Sequence, residues 1–391
     1  MADEPIAQLG GKTPLQAAEK PYMDMLAALG RCGMFSTVPA GFHPGSEIAN
    51  MTVLGYDVAK EFEGRGSLEA ASIGVQLQPG EMAMRCNLIC IADGKIKNHS
   101  AGHISNEEAK ELIEYLQKEL GDDTFTFHNG ISYRHLLVMK GGDKRISCTP
   151  PHDVPGTPFD DVMVKADTPE AQTTADAINQ LIRKSQELLP KHPVNQKRVS
   201  EGKDPANSIW PWSPGYKPCM GPLLEKVGLH SGAVISAVDL IKGIGIYAGL
   251  ESIDVEGATG LYNTNYEGKA QAALEQLRQK DFVFLHVEAS DEAGHEGDVD
   301  LKVRTIEYLD SRIIGPIWEE VSNWEEPVAI AVLPDHPTPC VLRTHTNHPI
   351  PFLIYKPGEK ADAVQQYDEF AAEAGSYGLV SGDQFIHLFI P

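Results

Sequence analysis

Residues 282–295 read Phe-Val-Phe-Leu-His-Val and then Glu-Ala-Ser-Asp-Glu-Ala-Gly-His. The first six are nearly all β-branched, aromatic or aliphatic, the composition of a strand covered on both faces. In the next eight, Asp291 and His295 stand four apart, so one helical turn aims a carboxylate and an imidazole the same way. The pattern recurs at 328–333, an apolar run followed by Asp335-His336 and then by Thr344-His345-Thr346. Carboxylate oxygen and imidazole nitrogen suit Mn²⁺, Zn²⁺ or Mg²⁺ rather than soft metals. Chemistry just beyond the carboxyl ends of buried strands is where an open parallel sheet keeps its sites.

Further apolar runs predict strands at 233–237 and 351–355, and helical periodicity predicts helices at 14–29, 270–279 and 298–321. Their alternation is the mark of parallel βαβ units. The middle of the chain reads differently. Strands at 85–92 and 132–139 and helices at 105–120 and 169–189 are separated by Gly- and Pro-rich turns. The expected architecture is therefore an α/β core, with a mostly parallel sheet flanked by helices, formed by residues 1–75 and 191–391. An α+β domain of residues 76–190 is inserted into it. The Pro-rich stretch 190–222, around Trp210-Pro211-Trp212, reads as a return linker with an ordered loop.

The chain has 391 residues, and its 33 Lys+Arg against 55 Asp+Glu give a formal charge of -22. Such a surface repels nucleic acid and anionic membranes, so neither is expected as a partner. The six cysteines include no Cys-x-x-Cys pair, and a chain this long needs no disulfide staples, which points to a reducing compartment. No run of about 18 apolar residues exists, and Met1-Ala2-Asp3-Glu4-Pro5 has no signal character. A cytoplasmic protein is expected, with no reading of its oligomeric state.

Asp291, His295, Asp335, His336 and His345 form a candidate ligand set for two ions. Singly, each pair is more often a solvated helix face or turn chemistry; their joint placement at strand ends carries the metal reading. Two ions roughly 3.5–4 Å apart clamp the attacking and leaving oxygens of a phosphoryl group. Ser46 lies where a loop, Gly41-Phe42-His43-Pro44-Gly45, enters a helix. It reads first as a helix cap. It also reads as a phosphate-binding nucleophile, activated by metal coordination. Arg65, Arg85 and Arg134 suit bidentate grip of an anionic substrate, and Lys242 offers a point charge. Gly10-Gly11-Lys12-Thr13 imitates the end of a P-loop, but that motif needs a glycine where Ile6 stands and a strand before it.

At these residues the chain resembles the archaeal-type, cofactor-independent (2,3-bisphosphoglycerate-independent) phosphoglycerate mutases of the alkaline phosphatase superfamily. The likeness runs nearly end to end, through Gly10 to Leu15, Pro44 to Asn50, Gly64-Arg65-Gly66, Arg85-Cys86-Asn87-Leu88, Tyr133-Arg134-His135, Lys242 to Gly245, and the three ligand motifs. It implies an alkaline-phosphatase-like core whose inserted domain closes over the site. Ser46 would be phosphorylated transiently and touch metal. Asp291, His295 and His345 would hold one divalent ion, and Asp335 and His336 the second. Mn²⁺ is expected, with Zn²⁺, Mg²⁺ or Co²⁺ as alternatives. Arg65, Arg85, Arg134 and Lys242 would grip the phosphate and carboxylate of a small phosphorylated substrate, with His152 and Asp153 as further contacts.

The chain departs from that pattern at its start. The family opens with an apolar strand ending in Asp-Gly, and that Asp is a ligand of the second metal. Here the sequence begins after it, and Asp3 is not its counterpart. The resemblance thus implies a late-assigned start or a truncated chain, a core sheet short of one strand and an incomplete second metal site. A bacterial branch of the family, proposed to act as homoserine kinase, is similar enough to stand as an alternative. A catalytically dead binding protein is a third reading.

Overall fold

The computed structural model describes residues 1–390, and the chain falls into two compact units. One joins Met1–Phe62 to the chain from Cys219 onward; the other is Glu63–Pro218. The fold is mixed α/β.

In the first unit the strands form two sheets. A four-stranded sheet has the order Ile330–Val332, Ile350–Tyr355, Arg31–Ser36, Gly378–Ser381. A three-stranded sheet has Gly232–Ile235 between Glu251–Ile253 and Phe282–Leu285, parallel throughout. The expectation of a mostly parallel core sheet holds for the second of these. In the first, Ile350–Tyr355 runs antiparallel to both its neighbours. The cause is local: residues 333–349 contain no helix to carry a crossover, so the chain returns antiparallel. The facing edges Phe282–Leu285 and Ile330–Val332 both line a cavity of about 740 Å³, together with Leu309, Ile313 and Phe389. The face of the four-stranded sheet that carries Phe35 and Phe352 is covered by aromatic packing, with Phe385 stacked on Phe35 at 5.2 Å and edge-on to Phe352 at 5.3 Å.

Two expected helices are interrupted. The first divides into Pro14–Ala17 and Pro21–Leu29, because a residue before proline is pushed out of the helical region. Thr13 caps the first piece in a capping box with Gln16, which fixes Gly10 to Thr13 as a turn. The helix expected at 298–321 is Val299–Leu309, a π-helical turn Asp310–Ile314 and Gly315–Val321. From the widened turn the Asp310 carboxylate accepts from Met23 N at 2.7 Å and Tyr22 N at 3.3 Å. It thereby caps Pro21–Leu29.

The second unit is built on Glu81–Ala92, a strand of 12 residues that pairs antiparallel with Arg134–Lys140 on one side and Ser208–Tyr216 on the other. Its alternate residues Met82, Met84, Cys86 and Leu88 join Leu112, Leu116, Ile178 and Ile182 of the helices Asn106–Leu120 and Gln172–Leu188 in a buried core. Ala83 points to the opposite face, where it packs with Leu136, Val138 and Ala70 of the helix Arg65–Ser72. That helix approaches closely because of two glycines. A Cβ on Gly66 would lie 2.5 Å from Ala83 O, and one on Gly64, at φ +125°, would lie 2.1 Å from Pro214 O.

The boundaries at 76 and 190 therefore move out to Glu63 and Pro218. The supposed return linker contains a helix, Pro193–Ser200, and the strand Ser208–Tyr216, whose Ile209, Trp210 and Trp212 are buried. Pro211 and Pro214 disguised it. Proline donates no ladder hydrogen bond and is tolerated only where, as here, a strand has one partner. Among the described residues no helix is long and apolar enough to cross a membrane, and all six cysteines are free.

Candidate functional site

Three side chains converge most tightly. The helix Ala289–Glu296 follows Phe282–Leu285 and carries Asp291 and His295 on one face, as their spacing requires. The loop after Ile330–Val332 brings His345 to them. His295 Nε2 lies 2.8 Å from His345 Nε2 and 3.2 Å from Asp291 Oδ2, and His345 Nε2 lies 3.5 Å from Asp291 Oδ1. All three ligand atoms sit within 4.8 Å of one another. The hydrogen bond it donates to Asp291 pushes His295 up to about 9, against its burial. Asp291, although buried, is held well below the usual carboxylate range by bonds from His295 and His345. Two imidazole nitrogens and a carboxylate aimed at one point are a fit donor set for a divalent cation.

Ser46, Asp335 and His336 form a second group. Ser46 Oγ lies 3.1 Å from His336 Nε2, which is 3.4 Å from Asp335 Oδ2. Ser46 is not the cap of its helix Ser46–Val53; Gly45 occupies that place and makes no side-chain cap bond. The hydroxyl is therefore directed at His336, and the reading of Ser46 as a cap is corrected. Asn50, one turn on, donates to Ser46 O at 2.9 Å and to Asp335 Oδ2 at 3.0 Å, tying the serine's helix to that carboxylate. Asp3 belongs to neither group: its carboxylate accepts from Lys302 Nζ at 2.8 Å and Cys340 N at 3.1 Å. The Met1 amino group, its pKa lowered to about 6 by burial, donates to Ser290 Oγ at 3.0 Å.

Beside these candidate ligands lies a polar layer whose residues have no role assigned from the sequence. His286 Nε2 is 3.3 Å from Glu288 Oε2, and its Nδ1 is 3.2 Å from Ser236 Oγ. Burial pushes Glu288 up to about 8, with Asp291 and Asp335 adding to it, and brings His286 down to about 4. Lys269, fully buried, donates to His286 O at 3.4 Å, and burial brings it down to about 8. Lys242 lies on Asp239–Tyr247, a helix packed on Ser46–Val53, and pairs with Asp254.

The remaining candidates lie in the second unit. Arg85 and Arg134 share the face of Ala83, because Arg134 stands opposite Asn87 and Leu136 opposite Arg85. Arg65 begins the helix on that face. The Arg85 guanidinium stacks 4.3 Å over the Trp212 ring and pairs with Glu69 at 3.1 Å. Burial lowers its pKa, and the nearby charges of Arg65 and Arg134 lower it further. His152 packs 5.3 Å from Trp212 and lies 3.5 Å from Asp153; burial lowers its pKa, with Arg85 and Arg65 contributing. The three arginines and the His152-Asp153 turn thus form one cluster. Asn50, Thr338, Glu69 and Trp212 were missed. Only Asn50 gave a signal, its spacing of four from Ser46.

Residues 27–195 match the model of the family described as 2,3-bisphosphoglycerate-independent phosphoglycerate mutase. A protein of that name from Methanosarcina barkeri is 50% identical over 392 residues, covering 100% of this chain and 97% of its own. The chain belongs to this family. A solved protein structure from Pyrococcus horikoshii superposes with TM-score 0.84 at 31% identity, over 100% of this chain and 93% of that one. A cofactor-independent phosphoglycerate mutase from Thermoplasma acidophilum does so with TM-score 0.68 at 26% identity, over 100% and 96%. Dependence on metal is general in the family, and the Asp291–His295–His345 triad is where this chain has the donors for it.

Proposed function

We propose that this chain interconverts 3-phosphoglycerate and 2-phosphoglycerate through a phosphoserine at Ser46, on an alkaline-phosphatase-like core. The names of its full-length relatives favour the mutase over homoserine phosphorylation or a dead binding protein. The observation that carries the mechanism is Ser46 Oγ at 3.1 Å from His336 Nε2, beside Asp335 and free of capping duty.

On this reading Asp291, His295 and His345 hold one divalent ion, and Asp335, His336 and Ser46 a second, with Mn²⁺ preferred. Bound ions supply Lewis-acid charge that eases loss of the serine proton and offsets charge on the phosphoryl oxygens. The chain's own groups do the rest. The dipole end of Ser46–Val53 receives the phosphoryl group. Ser46 Oγ bonds to phosphorus as the bond to the glycerate oxygen breaks, and the serine proton ends on that oxygen as a hydroxyl. The neighbouring glycerate hydroxyl then attacks the phosphoserine, and its proton returns to Ser46. Arg65, Arg85 and Arg134, with His152 and Asp153, supply the grip on the carboxylate and phosphate, and Lys242 a further positive charge. The unit that carries the arginines is the substrate-closing one.

The test is conversion of 3-phosphoglycerate to 2-phosphoglycerate in Mn²⁺-supplemented buffer by the native chain and by Ser46→Ala. Turnover confined to the native chain supports the reading. No turnover in protein shown to carry its metals overturns it and turns attention to ATP-dependent phosphorylation of homoserine.

A further inference from the structure

Thr338 lies in the loop after Asp335-His336, 2% exposed, and touches a ligand from each group. Its hydroxyl donates to Asp291 Oδ1 and lies 3.3 Å from His336 Nδ1. A hydroxyl has one proton and two lone pairs, and an ionised carboxylate only accepts. With its proton committed to Asp291, the oxygen can only accept from His336, so Nδ1 carries the hydrogen. In the neutral ring the other nitrogen, Nε2, is then the bare one, and it is the one facing Ser46 Oγ at 3.1 Å.

The backbone of Thr338 is fixed as firmly as its side chain. Thr338 O accepts from Lys302 Nζ at 2.8 Å, and the same ammonium donates to Ala2 O at 3.0 Å and Asp3 Oδ2 at 2.8 Å. All three ammonium protons are thereby used, and both side chains of the Lys302–Asp3 pair are 0% exposed. On the other side the ligand helix rests on the same carbonyl, since a Cβ on Gly294 would lie 2.4 Å from Thr338 O. The loop position that carries the hydroxyl is therefore set by groups that touch no ligand atom.

We propose that Thr338 is a positioning residue that couples the two ligand groups, orienting the Asp291 carboxylate and holding His336 in its Nδ1–H tautomer. This rests on the metal reading above. Partners one step behind metal ligands typically change metal affinity or activity about 10- to 100-fold when removed.

The test uses the full chain, freed of metal, as native protein, Thr338→Val and Thr338→Ser. Calorimetric titration with Mn²⁺ is expected to show affinity about 10- to 100-fold weaker in Thr338→Val, and restored in Thr338→Ser. Nitrogen NMR of the native chain freed of metal is expected to show His336 protonated at Nδ1, a readout that needs no variant to fold. Thr338→Val that binds Mn²⁺ as tightly as native protein overturns the proposal and leaves the metal reading standing. So does a native His336 found protonated at Nε2. A native chain that takes up no Mn²⁺ overturns the metal reading and this inference with it.

Discussion

The two units expose their chemistry in different ways. In the first, the candidate ligands other than His345 follow a strand or open a helix: Asp291 and His295 after Phe282–Leu285, Asp335 and His336 after Ile330–Val332, Ser46 opening its helix. In the second, Arg85 and Arg134 project from the strands themselves, on the face that also packs Ala83 and Leu136. Strands of a two-sided α/β layer are covered along their length, so reactive groups are available only beyond their ends. An antiparallel strand can instead give one face to a core and the other to charge. The difference teaches that site residues in the first unit are separable from stability, while those in the second share a surface with the packing.

Ser46→Ala should show the separation most strongly, with kcat reduced on the order of 10⁴- to 10⁶-fold and the melting temperature unmoved. A substantial drop in melting temperature would mean that Ser46 is also a structural residue. Gly64→Ala attacks the shared surface of the second unit. Its added methyl meets Pro214 O at a backbone angle L-residues avoid, so urea unfolding should show a loss of roughly 2–5 kcal/mol. Displacement of the adjoining Arg65 should raise KM for phosphoglycerate as well. Next comes His135, buried on the strand that carries Arg134, which burial brings down to about 4 from 6.5. Its neutral form belongs to the fold, whereas the unfolded chain binds a proton below 6.5. Its contribution is complete above pH 6.5, falls between pH 6.5 and 4, and levels below. The full span is on the order of 3 kcal/mol. Native protein should therefore lose more stability than His135→Gln between pH 7.5 and 4.5; equal losses would refute this account. The smallest effect is Arg85→Met, which removes the Glu69 pair and the stack on Trp212. A stability loss of about 1–2 kcal/mol is expected, together with a raised KM. If the melting temperature stays put while KM rises, the contrast between the units fails at the residue chosen to represent it.

The sequence made the ligand motifs legible because each is local: an apolar run, then a carboxylate or imidazole within a few residues. Asp291 and His295 follow from one helical turn. That His345 joins them followed from the family resemblance and not from local pattern, since residues 333–349 have no regular structure whose period could be read. The same loop hid Thr338, a residue type with no signature of its own. The boundaries at 76 and 190 were misplaced for a different reason. Ser208–Tyr216 carries two prolines and two tryptophans, and its identity as a strand comes from Glu81–Ala92, more than 100 residues away. The antiparallel return of Ile350–Tyr355 was equally unreadable, because direction is a property of the connection and not of the strand.

The discontinuity of the first unit has a consequence for the order of synthesis. Arg31–Ser36 is among the first strands to leave the ribosome, yet it pairs only with Ile350–Tyr355 and Gly378–Ser381. More than 300 residues must be added before either partner exists, which at cellular rates takes some tens of seconds. In that interval Glu63–Pro218, all of whose strands pair among themselves, can complete its sheet. Met34 and Phe35 meanwhile wait on an unpaired apolar edge. The nascent chain is thus a finished middle with an unfinished leading end, and that leading strand is the segment a chaperone would have to shield.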